Sequence, residues 1–182
     1  MWLYIIIGVV ILILIYALVV FNKLVKLRNR VKEAFATMDV YLKKRWDLIP
    51  NIVETVKGYA KHEKDTLEEV INLRNGAYDK MSTNDKIDTN EMLTSNISKL
   101  MLLAESYPDL KANKNFLDLS LQLSKVEEDI ANARKYYNAI VRNMNDKVKM
   151  FPSNMFAGLF GFKEVKYFEA NNSERENVKV EL

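Results

Sequence analysis

Apolar residues fill the first 21 positions of the chain without one charged side chain. A helix of that length rises about 31 Å, which matches the hydrocarbon core of a bilayer, roughly 30 Å thick. The stretch lacks the positive n-region, the short apolar core and the small-residue cleavage site of a signal peptide. The pattern therefore predicts a retained membrane-spanning helix that begins at Trp2 and ends at Phe21.

Positive charge follows this span immediately. The eleven residues from 22 to 32 contain five bases and no acid. Since basic flanks stay on the cytoplasmic side, we expect a single-pass protein of the inner or plasma membrane, with its N-terminus outside and the rest of the chain in the cytoplasm. With a Debye length of about 8 Å, the first three bases are expected to contact lipid headgroups: Lys23, Lys26 and Arg28.

Helical periodicity dominates the rest of the chain. From Val31 to Tyr59 apolar residues recur in steps of three and four, with a gap at Arg45, and a cleaner series runs from Phe116 to Phe151. Two shorter amphipathic runs lie between them, separated by the polar residues 82–88. Glycine and proline are scarce between residues 22 and 150. These features predict long helices.

Three stretches of similar length follow from this reading, residues 23–62, 65–105 and 114–149. The predicted fold is all-α, with a transmembrane helix followed by an elongated antiparallel bundle of three long legs. The middle leg is broken, which gives four helical segments in total. The expected domains are an anchor at residues 1–22, one bundle at 23–169 and a flexible polar tail at 170–182.

An up-down-up bundle also predicts how far its turns and its C-terminal segment lie from the membrane. The turn at residues 106–114 should lie near the membrane, and the aromatic segment after residue 150 should lie at the far end beside His62, away from lipid. Pro50 lies inside the first leg and is expected to bend that helix without ending it, because proline removes one backbone hydrogen bond.

Four separated segments, in this order, resemble the LemA family: residues 39–63 (DVYLKKRWDLIPNIVETVKGYAKHE), 107–116 (YPDLKANKNF), 133–145 (ARKYYNAIVRNMN) and 151–169 (FPSNMFAGLFGFKEVKYFE). The resemblance implies an N-terminally anchored helical bundle of bacteria, with a poorly defined biochemical role and no catalytic residue. It also implies a range of associations: membrane shaping in magnetic bacteria, signalling, and neighbouring membrane proteins that include a heat-shock zinc metalloprotease.

The residues themselves offer little chemistry. His62 is the single histidine, so a zinc-binding HExxH motif cannot form, and the chain has no cysteine. Neither a GxxxxGK nor a GxGxxG motif is present. The net charge of +3 is concentrated beside the span, which gives no indication of nucleic-acid binding. We therefore expect no enzymatic activity, metal or cofactor, and interpret Glu127, Glu128 and Asp129 as a solvated face.

A polar layer interrupts the first helical seam. Arg45 stands where an apolar residue is expected, with Asp47, Asn51 and Glu54 on the flanking face. Arg134 falls at about the height of Asp47 in the predicted bundle, which suggests an ion pair. Such a layer either fixes helix register or forms a ligand-binding or switching site, and we favour the first interpretation.

Five aromatic residues near the end of the bundle also have two interpretations. They either cap the core or anchor a partner, and capping is favoured because exposed aromatic patches promote aggregation. These residues are Phe156, Phe160, Phe162, Tyr167 and Phe168.

The sequence favours one function over two alternatives. In the first, a non-enzymatic single-pass protein scaffolds, recruits or regulates membrane-protein partners that the sequence does not identify. In the second, a membrane-anchored sensor binds a ligand at the polar layer. In the third, the protein self-associates and shapes the membrane.

Overall fold

The computed structural model describes residues 1–60, 62–72 and 78–169. These residues contain six α-helices, one 3-10 turn and no strand, which confirms the all-α prediction. The predicted tail at residues 170–182 lies outside the described residues. The helices are α1 (Trp2–Lys57), α2 (Lys64–Asn72), α3 (Thr83–Glu105), α4 (Pro108–Lys111), α5 (Lys114–Lys149) and α6 (Ser153–Leu159), and the 3-10 turn is Tyr78–Lys80.

The first helix, α1, contains the apolar span and continues well past it. Among the described residues, it is the one helix long and apolar enough to cross a membrane; its most apolar 18-residue window has a mean hydropathy of 3.2, and 6% of that window is buried in the protein. Pro50 lies inside α1, which continues to Lys57, so proline does not end the helix here. The side chains of the span therefore face outward, as lipid contact requires.

The contacts divide the chain into two compact units. Of the described residues, the first unit contains 1–37 and 134–167, and the second contains those between 38 and 133 together with 168 and 169. Both α1 and α5 therefore contribute to each unit.

In the second unit the middle leg is broken, as predicted, but the break reverses the chain. The ammonium group of Lys99 in α3 lies 3.0 Å from the Glu69 carboxylate of α2. The Tyr107 hydroxyl, just after α3, donates to Glu63, just before α2, at 3.4 Å. Ends that are remote in sequence are thus adjacent, so α2 and α3 are antiparallel.

The start of α3 explains part of this reversal. Ser82 and Asp85 form a capping box, in which the Asp85 backbone N–H donates to the Ser82 hydroxyl and the Ser82 N–H donates to the Asp85 carboxylate, both at 3.2 Å. A capping box satisfies amide groups that the first helical turn leaves unpaired. The polar residues 82–88 therefore begin a helix instead of separating two.

The turn at residues 106–114 lies beside the C-terminal end of α1. The Asn113 side-chain N–H donates to the Tyr59 hydroxyl at 2.9 Å. The prediction that this turn lies near the membrane is therefore wrong, because the added reversal between α2 and α3 changes the direction in which each later helix runs.

The core of the second unit follows the predicted helical seams. Fully buried leucine or isoleucine side chains contribute about 1.5–3 kcal/mol each. The buried seam residues are Met38, Leu42, Ile49, Ile52 and Val56 of α1, Leu93, Ile97 and Leu100 of α3, and Leu123, Val126 and Ile130 of α5. Ile87, which lies in the predicted polar separator, is buried as well.

In the first unit the C-terminal half of α5 packs beside the N-terminal part of α1. The rings of Phe35 and Tyr137 are 5.9 Å apart in an edge-to-face arrangement. After α5, the short helix α6 packs on the apolar span itself, with Phe156 against Tyr16. The expectation that the aromatic segment lies far from the span is therefore wrong.

Beyond α6 the chain runs back along α5 as a segment without regular secondary structure, residues 162–167, which we name the C-terminal strap. The Asn145 side chain pairs with both backbone groups of Val165, accepting from its N–H at 2.8 Å and donating to its carbonyl at 2.9 Å. The buried Tyr137 hydroxyl donates to the Lys166 carbonyl at 3.0 Å, and burial raises the pKa of Tyr137 to about 12. Side chains of α5 thus replace the backbone partners that an isolated extended segment lacks.

We predict that Asn145→Leu releases the C-terminal strap. The substitution leaves the Val165 N–H and carbonyl without their partner, which costs about 1–3 kcal/mol for each group that remains buried. Hydrogen exchange measured by mass spectrometry on the full chain in detergent should become faster in residues 162–167.

The matched control is Asn143→Leu, the same change at an exposed position of the same helix. It should leave exchange in the C-terminal strap unchanged. Equal acceleration by both substitutions would show that the Asn145 amide does not hold the segment.

Candidate functional site

Arg45 is completely buried in the second unit, at 0% exposure. Its Nη2 group donates to the backbone carbonyl of Asn90 at 2.7 Å and to the side-chain oxygen of the same residue. Its Nη1 group donates to the Thr94 hydroxyl at 2.9 Å. A single guanidinium of α1 therefore binds two successive turns of α3.

The charge of Arg45 is balanced from a third helix. Both oxygens of the Glu127 carboxylate in α5 accept from Nη1, at 2.7 and 2.9 Å. The Glu127 side chain keeps 34% of its surface exposed, whereas that of Arg45 keeps 1%. The cation is therefore buried, while its counter-ion lies at the edge of the core in contact with water.

These four residues form what we call the Arg45 layer: Arg45, Asn90, Thr94 and Glu127. A buried charge is tolerated only when it is paired and hydrogen-bonded. The layer meets this condition with a carboxylate, a hydroxyl and two amide oxygens, and it connects α1, α3 and α5 at one height.

A second polar cluster lies within the same unit. The Tyr78 hydroxyl donates to one oxygen of Asp39 and the Lys86 ammonium group donates to the other, both at 2.6 Å. Lys86 also lies 4.5 Å from the centre of the Tyr78 ring. Burial, followed by the adjacent Asp39 carboxylate, raises the pKa of Tyr78. Tyr78 therefore stays protonated and acts as a hydrogen-bond donor between α1 and the start of α3.

Most of the predicted polar layer lies elsewhere. Asp47 is exposed and pairs with Lys43 one turn earlier at 2.6 Å, so the prediction of a buried Asp47–Arg134 pair is wrong. Arg134 is half-buried and belongs to the first unit. Asn51 and Glu54 are exposed and line an open groove of about 440 Å³ between α1 and α5. Of the five predicted residues, only Arg45 lies in the buried layer.

Sequence reasoning missed three members of the Arg45 layer. Asn90 and Thr94 are four residues apart, so they share one face of α3, and this spacing was available in the sequence. Glu127 follows the buried Val126 in the α5 seam, and the interpretation of Glu127 as part of a solvated face was wrong. Its partner is 82 residues away, which no local pattern indicates.

The five predicted aromatic residues are distributed between the two units. In the first unit, Phe156 packs on Tyr16 with ring centres 5.6 Å apart, and Phe160 packs on Phe21 at 5.0 Å. Phe162 is buried and lies 6.1 Å from Phe21. Tyr167 is half-buried in the first unit, and Phe168 is buried in the second.

The three predicted lipid-contacting bases are exposed on α1 just after the span. The guanidinium of Arg28 also lies 5.4 Å from the centre of the Phe162 ring, in a cation–π contact. Lys23 and Lys26 precede it on the same helix. In the described ranges, no group of three or more histidine, cysteine, aspartate or glutamate side chains is arranged to hold a metal ion.

Comparison with known proteins gives the family. The profile of the LemA family matches residues 34–182, which is most of the chain. The chain belongs to the LemA family. Protein LemA of Metamycoplasma hominis is 28% identical over 161 residues, which cover 86% of this chain and 72% of that relative.

Two further relatives are named for the magnetosome. Magnetosome protein MamQ 2 of Paramagnetospirillum magneticum is 30% identical over 73 residues, or 40% of this chain and 27% of that protein. Magnetosome protein MamQ of Magnetospirillum gryphiswaldense is 29% identical over 72 residues, or 40% of this chain and 26% of that protein. This LemA-family chain thus aligns with about a quarter of each, and its own apolar N-terminal helix fits membrane association.

We predict that Glu127→Gln destabilises the second unit. The substitution leaves the buried Arg45 cation without its carboxylate, and breaking such a pair should lower the free energy of unfolding by about 3 kcal/mol, the lower end of the usual range because Glu127 is partly hydrated. The measurement is denaturant unfolding of the full chain in detergent, followed by circular dichroism.

Glu128→Gln is the matched control, since Glu128 is the exposed neighbour on the same helix. It should change the unfolding free energy little. The double substitution Arg45→Met with Glu127→Leu should recover most of the loss, because apolar residues can replace a buried ion pair. Equal effects of Glu127→Gln and Glu128→Gln would contradict a structural role for the pair.

Proposed function

We propose that this LemA-family protein is a non-enzymatic, single-pass membrane protein that holds its helical bundle in the cytoplasm to scaffold, recruit or regulate membrane-associated partners. The observation that carries the proposal is the continuity of α1, which begins as an exposed apolar span and extends without a break to Lys57. An apolar span at the start of the chain would hold at the membrane the helical bundle that follows it.

Charge supports the proposed orientation. The exposed bases Lys23, Lys26 and Arg28 directly follow the span, and no acid occurs before residue 33. Basic flanks of this kind favour the cytoplasmic side and attract anionic headgroups.

The buried polar groups support a structural role over catalysis. Among the described residues four polar side chains are buried, Arg45, Asn90, Asn145 and Ser153. Each bonds to a neighbouring group of the protein, and the Ser153 hydroxyl, for example, donates to the Met150 carbonyl at 2.8 Å. Groups engaged in this way hold helices together and are not presented to a substrate.

A ligand sensor is the second candidate, and one observation favours it. The open groove between α1 and α5 is lined by Asn51, Glu54, Asn115, Asp118 and Gln122, a set of amide and carboxylate groups. The groove is shallow and would enclose little of a ligand, so we consider the sensor function less well supported than the scaffold function. Self-assembly that shapes the membrane is a third candidate, and two partial relatives are named for the magnetosome.

We predict that a single cysteine at Ser124, exposed on α5, reacts with a membrane-impermeant maleimide only after the membrane is permeabilised. The chain has no cysteine of its own, so Ser124→Cys gives an unambiguous label in intact cells and spheroplasts. Trp2→Cys, at the opposite end of the span, should react before permeabilisation. The reverse pattern would contradict the proposed orientation and favour an external sensor.

A second prediction addresses the partner. Exposed apolar residues of the second unit include Leu102 and Leu121, which are 65% and 70% exposed. A photo-crosslinking amino acid at either position should join the protein to discrete membrane-associated proteins, because exposed leucines are suited to a partner surface. The same amino acid at Glu68, exposed on α2, should give fewer adducts. Adducts only between copies of this chain would favour self-assembly, and none at all would contradict the scaffold.

A further inference from the structure

We propose that residues 150–162, which we name the α6 segment, insert into the bilayer beside the span as a second membrane contact, at the depth where headgroups give way to acyl chains. The ligand is the lipid surface itself. This inference rests on the proposed function, because it requires α1 to cross the membrane.

The composition of the α6 segment is that of an interfacial membrane element. Its thirteen residues, MFPSNMFAGLFGF, carry no charge. The exposed bases Lys149 and Lys163 flank it directly, and Lys149 pairs with Glu164 at 2.7 Å. An uncharged apolar stretch between lysines is suited to the boundary of a membrane, where the flanking ammonium groups stay in the headgroup layer.

Contacts with the span set the depth of α6. Phe160 packs on Phe21, the last residue of the span, and Phe156 packs on Tyr16, five residues deeper. Five residues of helix correspond to about 7.5 Å. Interfacial helices insert by roughly 5–10 Å, so α6 is held within that range by its contacts with α1.

The two sides of α6 differ sharply. Ser153 and Ala157, one turn apart, are 5% and 0% exposed, and these small residues allow α6 to pack closely against the protein. The outward side carries large apolar side chains: Met150, Phe151, Met155, Leu159 and Phe160. Phe151 and Leu159 are the most exposed of these, at 79% and 77%.

Lipid is the occupant of this apolar side because the surface is continuous with the span. Tyr16 and Phe21, which contact α6, are themselves 39% and 38% exposed and belong to the surface that the proposed membrane covers. A side chain that projects outward from the same depth meets acyl chains before it meets another protein. Burying a phenylalanine or leucine there is favourable by about 1.5–3 kcal/mol.

Basic residues mark the headgroup level around the α6 segment. Arg28 lies over Phe162 at the end of the segment, at 5.4 Å, and Lys163 follows in the chain. Lys23 and Lys26 project from the adjacent turns of α1. The bases that follow the span and those that flank the α6 segment therefore belong to one packed unit, as a shared membrane boundary requires.

The test measures depth with a single fluorescent probe. The full chain carries Leu159→Cys labelled with an environment-sensitive fluorophore and is reconstituted into vesicles of phosphatidylcholine and phosphatidylglycerol. These vesicles contain lipids with a nitroxide quencher at a shallow or a deep acyl position. Leu159→Cys should be quenched most by the shallow nitroxide, and Met155→Cys should repeat this result if the first variant perturbs the fold.

Two reference positions separate this inference from the proposed function. Leu12→Cys, in the middle of the span and 67% exposed, should be quenched most by the deep nitroxide, and Ser124→Cys by neither. If Leu12→Cys is quenched while Leu159→Cys and Met155→Cys behave like Ser124→Cys, the α6 segment does not contact lipid and the inference is overturned with the anchor intact. Failure to quench Leu12→Cys would instead overturn the membrane span itself.

Discussion

The ion pair between the buried Arg45 and the half-exposed Glu127 is the interaction on which the helical arrangement of the second unit depends. A purely apolar seam tolerates sliding of one helix along another, since each apolar group finds a similar neighbour one turn away. A buried guanidinium does not, because a shift of one turn, about 5.4 Å, would separate the cation from its carboxylate and from the Asn90 and Thr94 oxygens. The layer therefore specifies one register among α1, α3 and α5.

The first unit is stabilised by contacts of a different kind. Its polar contacts include those of α5 with the C-terminal strap, where the Asn145 side chain bonds to the backbone of Val165, while its outer surface around α6 is apolar and uncharged. The second unit has an apolar interior crossed by the Arg45 layer, in which both terminal nitrogens of the guanidinium are hydrogen-bonded. The two units therefore differ in what stabilises them: a buried charge layer in the second, and side-chain bonds to the C-terminal strap with aromatic packing in the first.

Local properties of this fold could be predicted from the sequence, whereas the direction of its helices could not. The span, the α1 and α5 seams and the anomaly at Arg45 all follow from residue periodicity. The prediction treats residues 65–105 as one leg and so omits the reversal between α2 and α3. Periodicity identifies the buried face of a helix and carries no information on the direction in which the helix runs. Without that reversal the heights of residues on facing helices are misaligned, so Arg134 is matched to Asp47 and Arg45 receives no partner, whereas in the structure Arg45 pairs with Glu127.

The position of the aromatic segment follows from the same reversal. In the predicted three-leg bundle the aromatic segment lies far from the span. In the structure Phe156 contacts Tyr16, and Phe160 contacts Phe21. The LemA-family profile begins at residue 34, after the span, and includes the α6 segment. A segment within the family's shared region thus packs on a span that lies outside it. Tyr16 and Phe21 are consequently packing partners of α6, which gives these two rings of the apolar N-terminal helix a role within the first unit.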